Sequence, residues 1–185
     1  KPFEGGKELT DLSIECFNRL RPYFGECLAT MQAMKHLDLE SKDGKAPGGF
    51  MYPLYEIGVP FIFMNAVGSQ RDVVTMVHEG GHAVHSFLSR NLSMTEFKST
   101  PSEVAELASM SMELISMDNW DVFYSDDKEL NRAKLEQLEK ALETLPWVAA
   151  IDKFQHWIYT NKHTAQQRKE KWLEISAKLG NQIID

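Results

Sequence analysis

The chain has 185 residues, enough for one domain with its own hydrophobic core or for two very small domains. Hydrophobic residues make up 43% and charged residues 25% of the chain, a globular composition that excludes wholesale disorder. The net charge of −7 argues against nucleic acid or an anionic membrane surface as the main partner. No apolar run approaches the ~20 residues of a membrane span, so we expect no membrane association.

The N-terminal region contains both cysteines, Cys16 and Cys27. Three- and four-residue spacing of apolar residues predicts one long helix over residues 7–37. On that helix the cysteines would lie about 16 Å apart, whereas a disulfide needs Cα atoms within about 7 Å. Two free thiols and the absence of a signal-peptide pattern favour a cytoplasmic location. The first residue is not Met, and we expect a piece of a longer chain.

A loop and a small β element follow this helix. Turn-forming residues predict a loop over 41–49. Aromatic and branched residues predict strands over 50–57 and 60–65, and Pro53 limits the first to an edge or an interrupted strand.

The rest of the chain is predicted to be helical. Ser69 and Asp72 are typical of a helix start, and Ser102 is the expected N-cap of a second helix. Pro146 is expected to break or kink a charged helix, and Thr164 opens a capping box. The predicted helices cover residues 69–90, 102–117, 128–145 with an apolar continuation to 159, and 164–179. The fold class is therefore mainly α, with a small β element before the helix at 69–90.

The residues that carry chemistry are His78, Glu79 and His82, in the order His-Glu-x-x-His. Histidines four residues apart project from one helix face about 6 Å apart along the axis, so two imidazole nitrogens can bind one Zn²⁺. Glu79 would reach a water on that metal more easily than the metal itself. Gly80 and Gly81 cost about 1 kcal/mol each in a helix relative to Ala, which indicates a close approach by another group.

A catalytic zinc takes three protein ligands, and the third is open on spacing alone. Glu103, Glu106 and Glu113 lie along one face of the following helix, and its antiparallel return favours Glu103 or Glu106. Glu113 is expected to be exposed or to support the site. His85 is expected to support the site or to pack beside it.

These segments resemble the oligoendopeptidase F and thimet oligopeptidase family of zinc metallopeptidases. The resemblance covers residues 1 to about 165 and rests on residues 60–65, 72–85 and 101–113, with Lys45 to Phe50 similar to an upstream family segment. Gly80 stands where relatives carry a larger residue.

The resemblance implies a partial catalytic domain over residues 1–185, of the helical zincin type. It implies one Zn²⁺ per chain on His78, His82 and Glu106, with Glu79 as the catalytic base. Lesser expectations are a supporting role around the ligands for His85, Glu103 and Asp72. Substrate binding beside the cleft, by backbone pairing, is expected at Phe61, Ile62, Phe63 and Asn65.

The expected function is zinc-dependent hydrolysis of short peptides, in which Glu79 takes a proton from the zinc-bound water. Family members stabilise the oxyanion with a histidine and tyrosines on a Gly- and Tyr-rich segment, and nothing after Glu113 matches that segment. The alternatives are therefore a zinc-binding fragment that is catalytically incomplete, or a helical scaffold without metal. The sequence leaves the oligomeric state open.

Overall fold

The computed structural model describes residues 1–179, which form two compact units, Lys1–Ala133 and residues from Lys134 onward. Over residues 1–126, the first unit contains five α-helices, three strands and a 3₁₀ helix. In chain order these elements are α1 (Gly5–Leu20), α2 (Pro22–Ala33), β1 (Leu37–Glu40), β2 (Gly49–Tyr52), β3 (Phe61–Ala66), α3 (Gln70–Ser89), α4 (Thr95–Lys98), α5 (Ser102–Ile115) and the 3₁₀ helix (Ser116–Val122). The prediction of a mainly α fold with a small β element is confirmed.

The predicted single helix over residues 7–37 is wrong, because the chain breaks at Arg21. Arg21 is extended, with φ −161° and ψ 127°. Proline disfavours helical backbone in the residue before it, so Pro22 ends α1 and begins α2. Cys16 and Cys27 consequently lie on different helices, where both are free and buried. Both thiols are unpaired, as expected. The reason given for it, a distance along one helix, was wrong.

The small sheet has the strand order β1-β3-β2. β3 runs parallel to β1 and antiparallel to β2. β1 was missed in the sequence because four residues are too short for a clear alternating pattern. β2 stops at Tyr52, shorter than predicted, since Pro53 has no N–H to continue a ladder.

A nearly buried lysine holds the connection between β1 and β2. The Lys45 side chain is 7% exposed, and its Nζ donates to the backbone oxygens of Asp38 (3.0 Å) and Glu40 (2.7 Å). It also pairs with the Asp38 carboxylate at 3.0 Å and lies 4.6 Å from the centre of the Phe63 ring. The Asn65 side chain donates to the Lys45 carbonyl oxygen. This connection is therefore fixed to both β1 and β3.

The helix that carries the histidines begins with a complete capping box. The Ser69 side chain accepts from the Asp72 backbone, and the Asp72 carboxylate accepts from the backbone and hydroxyl of Ser69. Asp72 also accepts from the Val67 N–H at 3.0 Å. The predicted start of this helix at residues 69–72 is confirmed.

The segments on either side of α5 differ from the predictions in detail. Pro101, and not Ser102, occupies the N-cap position of α5. The short helix α4 was not predicted, and α5 ends at Ile115, where the 3₁₀ helix begins. Trp120 in that 3₁₀ helix is fully buried, and its indole N–H donates to the Ser116 hydroxyl, so this segment is part of the packed core.

The division between the two units falls within α6 (Asp127–Thr160), and α7 (Ala165–Lys178) follows. α6 continues through Pro146, so a break there is wrong. An internal proline removes one helical hydrogen bond, and helix-forming residues on both sides maintain the helix. The capping box at Thr164 and Gln167 is confirmed.

Candidate metal centre

The histidines of α3 and a carboxylate of α5 meet in one cluster. The rings of His78 and His82 are 4.9 Å apart and nearly perpendicular. Glu106 approaches both, with Oε2 at 3.2 Å from His78 Nε2 and Oε1 at 3.6 Å from His82 Nε2. One ligand atom from each of the three residues lies within 4.8 Å of the others. Glu103, the other favoured candidate, is exposed and outside this group.

These distances fit a zinc ion. Ligand atoms about 2.0–2.1 Å from a tetrahedral metal are about 3.3 Å from one another, close to the two observed nitrogen–oxygen separations. Two imidazoles and one carboxylate are also a donor set that catalytic zinc uses. The side chains that this chain brings together therefore suit Zn²⁺ in number and type, and two of their separations are close to its tetrahedral spacing.

Close packing of α5 on α3 gives Glu106 its position. A Cβ at Gly81 would lie 2.8 Å from Met112 Cβ and 2.9 Å from Ser109 Cα, so only glycine permits this approach. Gly80 instead faces the Phe17 ring of α1, 2.8 Å from where its Cβ would be. The inference that a neighbouring group approaches these glycines is confirmed, and the neighbours are other helices of the same chain.

Glu113 is the carboxylate that orients His78. It is 8% exposed, and its Oε1 accepts from His78 Nδ1 at 2.5 Å. Burial alone would lower the pKa of His78, but the hydrogen bond and charge of Glu113, together with Glu79 and Glu106, raise it. With Nδ1 bound to Glu113, Nε2 is the atom left to face Glu106 and a metal. Of the two expectations for Glu113, support of the site is the one that the geometry favours.

Ser109 is a second supporting side chain, and sequence reasoning missed it. Its buried hydroxyl lies 3.2 Å from Glu106 Oε2, one helical turn away. The same hydroxyl lies 3.0 Å from the Glu106 carbonyl oxygen and can donate to only one of them at a time. A serine three residues after a candidate ligand on one helix face is the signal that could have found it.

Glu79 lies beside the cluster as a buried carboxyl group. It is 7% exposed, and burial raises its pKa, against the opposing effects of His78 and of a hydrogen bond from the Met51 backbone. A carboxylate with a raised pKa is a better proton acceptor near neutral pH. The hydrogen bond also places β2 directly against this group.

His82 and His85 lie on successive turns of α3. Burial lowers the pKa of His82; the charge of His78 acts in the same direction, that of Glu106 opposes it, and that of His85 lowers it further. The lowered pKa favours the neutral imidazole that a metal requires. His85 lines a cavity next to His82. Its expected supporting role stays a prediction.

Asp72 was expected to support the candidate ligands, but the structure places its hydrogen bonds elsewhere. Its described hydrogen bonds all go to Val67 and Ser69, at the start of α3. Six residues of helix, about 9 Å, separate it from His78. Its role is to cap the helix that carries the ligands. Glu103 is exposed at the start of α5, and its expected support of the site stays a prediction.

Substrate pairing along residues 61–65 also needs correction. Phe61, Ile62, Phe63 and Asn65 belong to β3, the central strand, which is flanked by β1 and β2. Ile62 is fully buried, Phe63 stacks on Phe50, and Asn65 holds the Lys45 connection. Within residues 1–179, the strand next to Glu79 with a free edge is β2.

Comparison with known proteins gives the family. The model of Peptidase family M3 matches residues 26–185. The chain belongs to this family. It is 28% identical to a plasmid-encoded oligoendopeptidase F of Lactococcus lactis subsp. cremoris over 127 residues, and 31% identical to the chromosomal oligoendopeptidase F of the same organism over 93 residues.

Solved structures of related proteins have the same fold. A protein described as an oligoendopeptidase F from Bacillus anthracis strain Ames superposes with a TM-score of 0.87 at 28% identity, over 97% of this chain and 33% of its own. PZ peptidase A, solved with an inhibitor, gives 0.84 at 29% identity, over 95% and 31%. The resemblance inferred from residues 60–113 is thereby confirmed.

The match covers only part of each relative. The chain spans 20% of the plasmid-encoded Lactococcus enzyme and 15% of the chromosomal one; the matched segment covers 69% and 50% of this chain. Among residues 1–179, no helix is both long and apolar enough to cross a bilayer.

Proposed function

We propose that this chain carries the metal centre of a zinc-dependent endopeptidase that hydrolyses short peptides. The observation that carries the proposal is the convergence of His78, His82 and Glu106 within 4.8 Å, with buried Glu79 beside them. Membership of Peptidase family M3 supports peptides as the substrate class. A cytoplasmic location remains a prediction from the free thiols.

The three clustered side chains would hold one Zn²⁺, which when bound acidifies a water molecule and polarises the scissile carbonyl. Glu79 accepts a proton from the attacking water and returns it to the leaving amine. Its burial raises its pKa and so improves it as a proton acceptor. Glu113 holds His78 in one orientation, and Ser109 restrains Glu106.

An extended peptide would bind along β2. The free edge of this strand can pair with a peptide backbone, and the Met51 backbone already contacts Glu79. A peptide bound there would pass the proton acceptor. Short, unstructured peptides are the expected substrates, because a folded protein rarely offers an extended segment for strand pairing.

A second candidate is a zinc-binding segment that cleaves nothing by itself. The specific observation in its favour is that the chain spans 33% or less of the structures and curated relatives it matches. Elemental analysis of the purified chain, followed by a quenched-peptide assay with and without chelator, separates the candidates. One zinc per chain with chelator-sensitive cleavage supports the peptidase, zinc without cleavage supports the second candidate, and no zinc overturns both.

A further inference from the structure

A small cavity of about 160 Å³ lies next to the metal centre. His82 lines it and also belongs to the ligand cluster, so the cavity and the centre share one side chain. Ligand pockets for whole small molecules usually measure about 300–1,000 Å³. This cavity therefore has room for a single side chain or chain end, and not for an entire ligand.

The wall of this cavity has an unusual charge for so acidic a chain. Lys98 and His85 line it, and no aspartate or glutamate does, although the chain as a whole carries −7. Glu79, Glu106 and Glu113 instead lie at the metal centre, against His78 and His82. The cavity is thus the basic neighbour of an acidic site.

Lys98 is available to bind a ligand. It is half-buried at the end of α4, and across residues 1–179 no carboxylate forms an ion pair with its ammonium group. Ser86 and Thr100 add hydroxyl groups to the same wall. The Ser89 hydroxyl already donates to backbone oxygens of α3. The ammonium group of Lys98 is therefore the charged hydrogen-bond donor that this wall can offer to a ligand.

The cavity also lies where a bound peptide would pass. Met51 and Pro53, at the end of β2, line it, so the cavity adjoins that end of the strand. Side chains of an extended peptide alternate, and one of them would point toward the wall as the backbone follows β2.

We propose that this cavity binds a carboxylate of the peptide substrate close to the cleaved bond. The proposal rests on the peptidase function proposed above and adds a substrate preference to it. The carboxylate can come from an aspartate or glutamate side chain or from the C-terminus of the peptide. Lys98 supplies the countercharge, and the hydroxyls of Ser86 and Thr100 complete the anion's hydrogen bonds.

Peptide binding to the zinc-loaded Glu79→Gln chain tests this without turnover. One glutamate is moved through each position of a neutral hexapeptide with blocked ends, and each peptide is compared with its glutamine analogue by fluorescence anisotropy. The same peptide without its glutamate, but with a free and therefore charged C-terminus, is compared with its uncharged amide. The peptide with glutamate at one particular position, or the peptide with the free C-terminus, should bind about tenfold more tightly than its uncharged analogue.

Three further variants assign the preference to the cavity. Lys98→Met should abolish the tenfold preference and leave the neutral peptides unchanged, and Lys98→Arg should keep part of it. Lys128→Met removes an exposed lysine at the start of α6. It should change neither the tenfold preference nor the binding of the neutral peptides.

Equal binding of charged and neutral peptides, or a preference that survives Lys98→Met, would overturn the carboxylate cavity and leave the peptidase function intact. Loss of all peptide binding by the zinc-loaded chain would instead overturn both.

Discussion

His78 Nδ1 and Glu113 Oε1 lie 2.5 Å apart, although one residue is on α3 and the other on α5. Through this bond Glu113 fixes the ring of a candidate ligand at the nitrogen that faces away from Glu106. Carboxylate partners of this kind fix the tautomer and the orientation of metal-binding histidines. The α5 helix therefore contributes twice to the site, through Glu106 and through Glu113.

Replacing Glu113 with Gln should weaken zinc binding by about 10–100-fold, because the ring of His78 loses its charged partner. Competition with a chromogenic chelator measures the affinity, and circular dichroism checks the fold. Glu26→Gln, which changes an exposed carboxylate on α2, is the control. Equal zinc affinity in the two variants would show that Glu113 does not position the ligand.

Replacing Glu79 with Gln should leave zinc binding in place and lower peptide hydrolysis at least 10²–10⁴-fold, since the amide cannot accept a proton. The comparison is of kcat on a quenched peptide, at equal zinc content. Glu79 contributes none of the three clustered ligand atoms, so metal loss is not expected. Cleavage at the parent rate by the variant would exclude Glu79 as the base.

Replacing Gly81 with Val should destabilise the chain by about 1–3 kcal/mol and weaken zinc binding. The new side chain would overlap the Ser109 backbone and push α5, with Glu106, away from α3. Urea unfolding measures the loss. Gly80→Ala should cost less, because the three atoms nearest to the new Cβ all belong to the Phe17 ring and none to backbone. Phe17→Leu in the same chain should reduce that cost. A Gly81 variant with unchanged zinc affinity would contradict the account.

Replacing Lys45 with Met should lower stability by about 1–3 kcal/mol, because two backbone oxygens and the Asp38 carboxylate lose a buried donor. Lys42 is the control, since it reaches the same Asp38 at 3.7 Å but is 66% exposed. Lys42→Met should cost about 0–1 kcal/mol. Equal unfolding midpoints in urea for the two variants would contradict a structural role for Lys45.

The buried thiols should make stability fall at high pH. Burial raises the pKa of Cys16 to about 12, with the Asp121 charge second, and burial raises that of Cys27 to about 11. The unfolded chain ionises its thiols near pH 9, so their contribution is complete below pH 9. It is lost as the pH rises toward 11–12, by up to about 1.4 kcal/mol per pH unit per thiol.

Urea unfolding between pH 8 and 10.5 measures this loss, and a Cys16→Ala, Cys27→Ala chain is the reference for other alkaline titrations. The variant should lose less stability over the range. Native thiols should also react slowly with a disulfide reagent at pH 8 and rapidly in urea. Parallel pH profiles for parent and variant would contradict the burial effect.

Local signals in the sequence predicted the part of the site that lies on one helix. The four-residue spacing placed His78 and His82 on one face, and the Ser69–Asp72 pattern located the start of α3. Spacing alone could not choose between Glu103 and Glu106, because that choice depends on where α5 crosses α3. The resemblance to a known family named Glu106, and the cluster contains that residue.

The features that the sequence did not reveal depend on contacts between distant segments. Glu113 and Ser109 are ordinary helix residues until α5 packs on α3. The central position of β3 depends on β1, whose four residues give too weak a pattern to predict. The break at Arg21 was predictable in principle, since Pro22 follows it, but the apolar spacing across residues 7–37 obscured it.

The three candidate ligands come from two helices that only tertiary folding brings together. α3 alone supplies two imidazoles, and the carboxylate arrives with α5 across the contact at Gly81. A tightly held ion is therefore a cross-link between α3 and α5, and its binding free energy adds directly to the folding free energy of the first unit. If the proposed function holds, zinc depletion would lower the stability of the first unit as well as remove the catalytic metal.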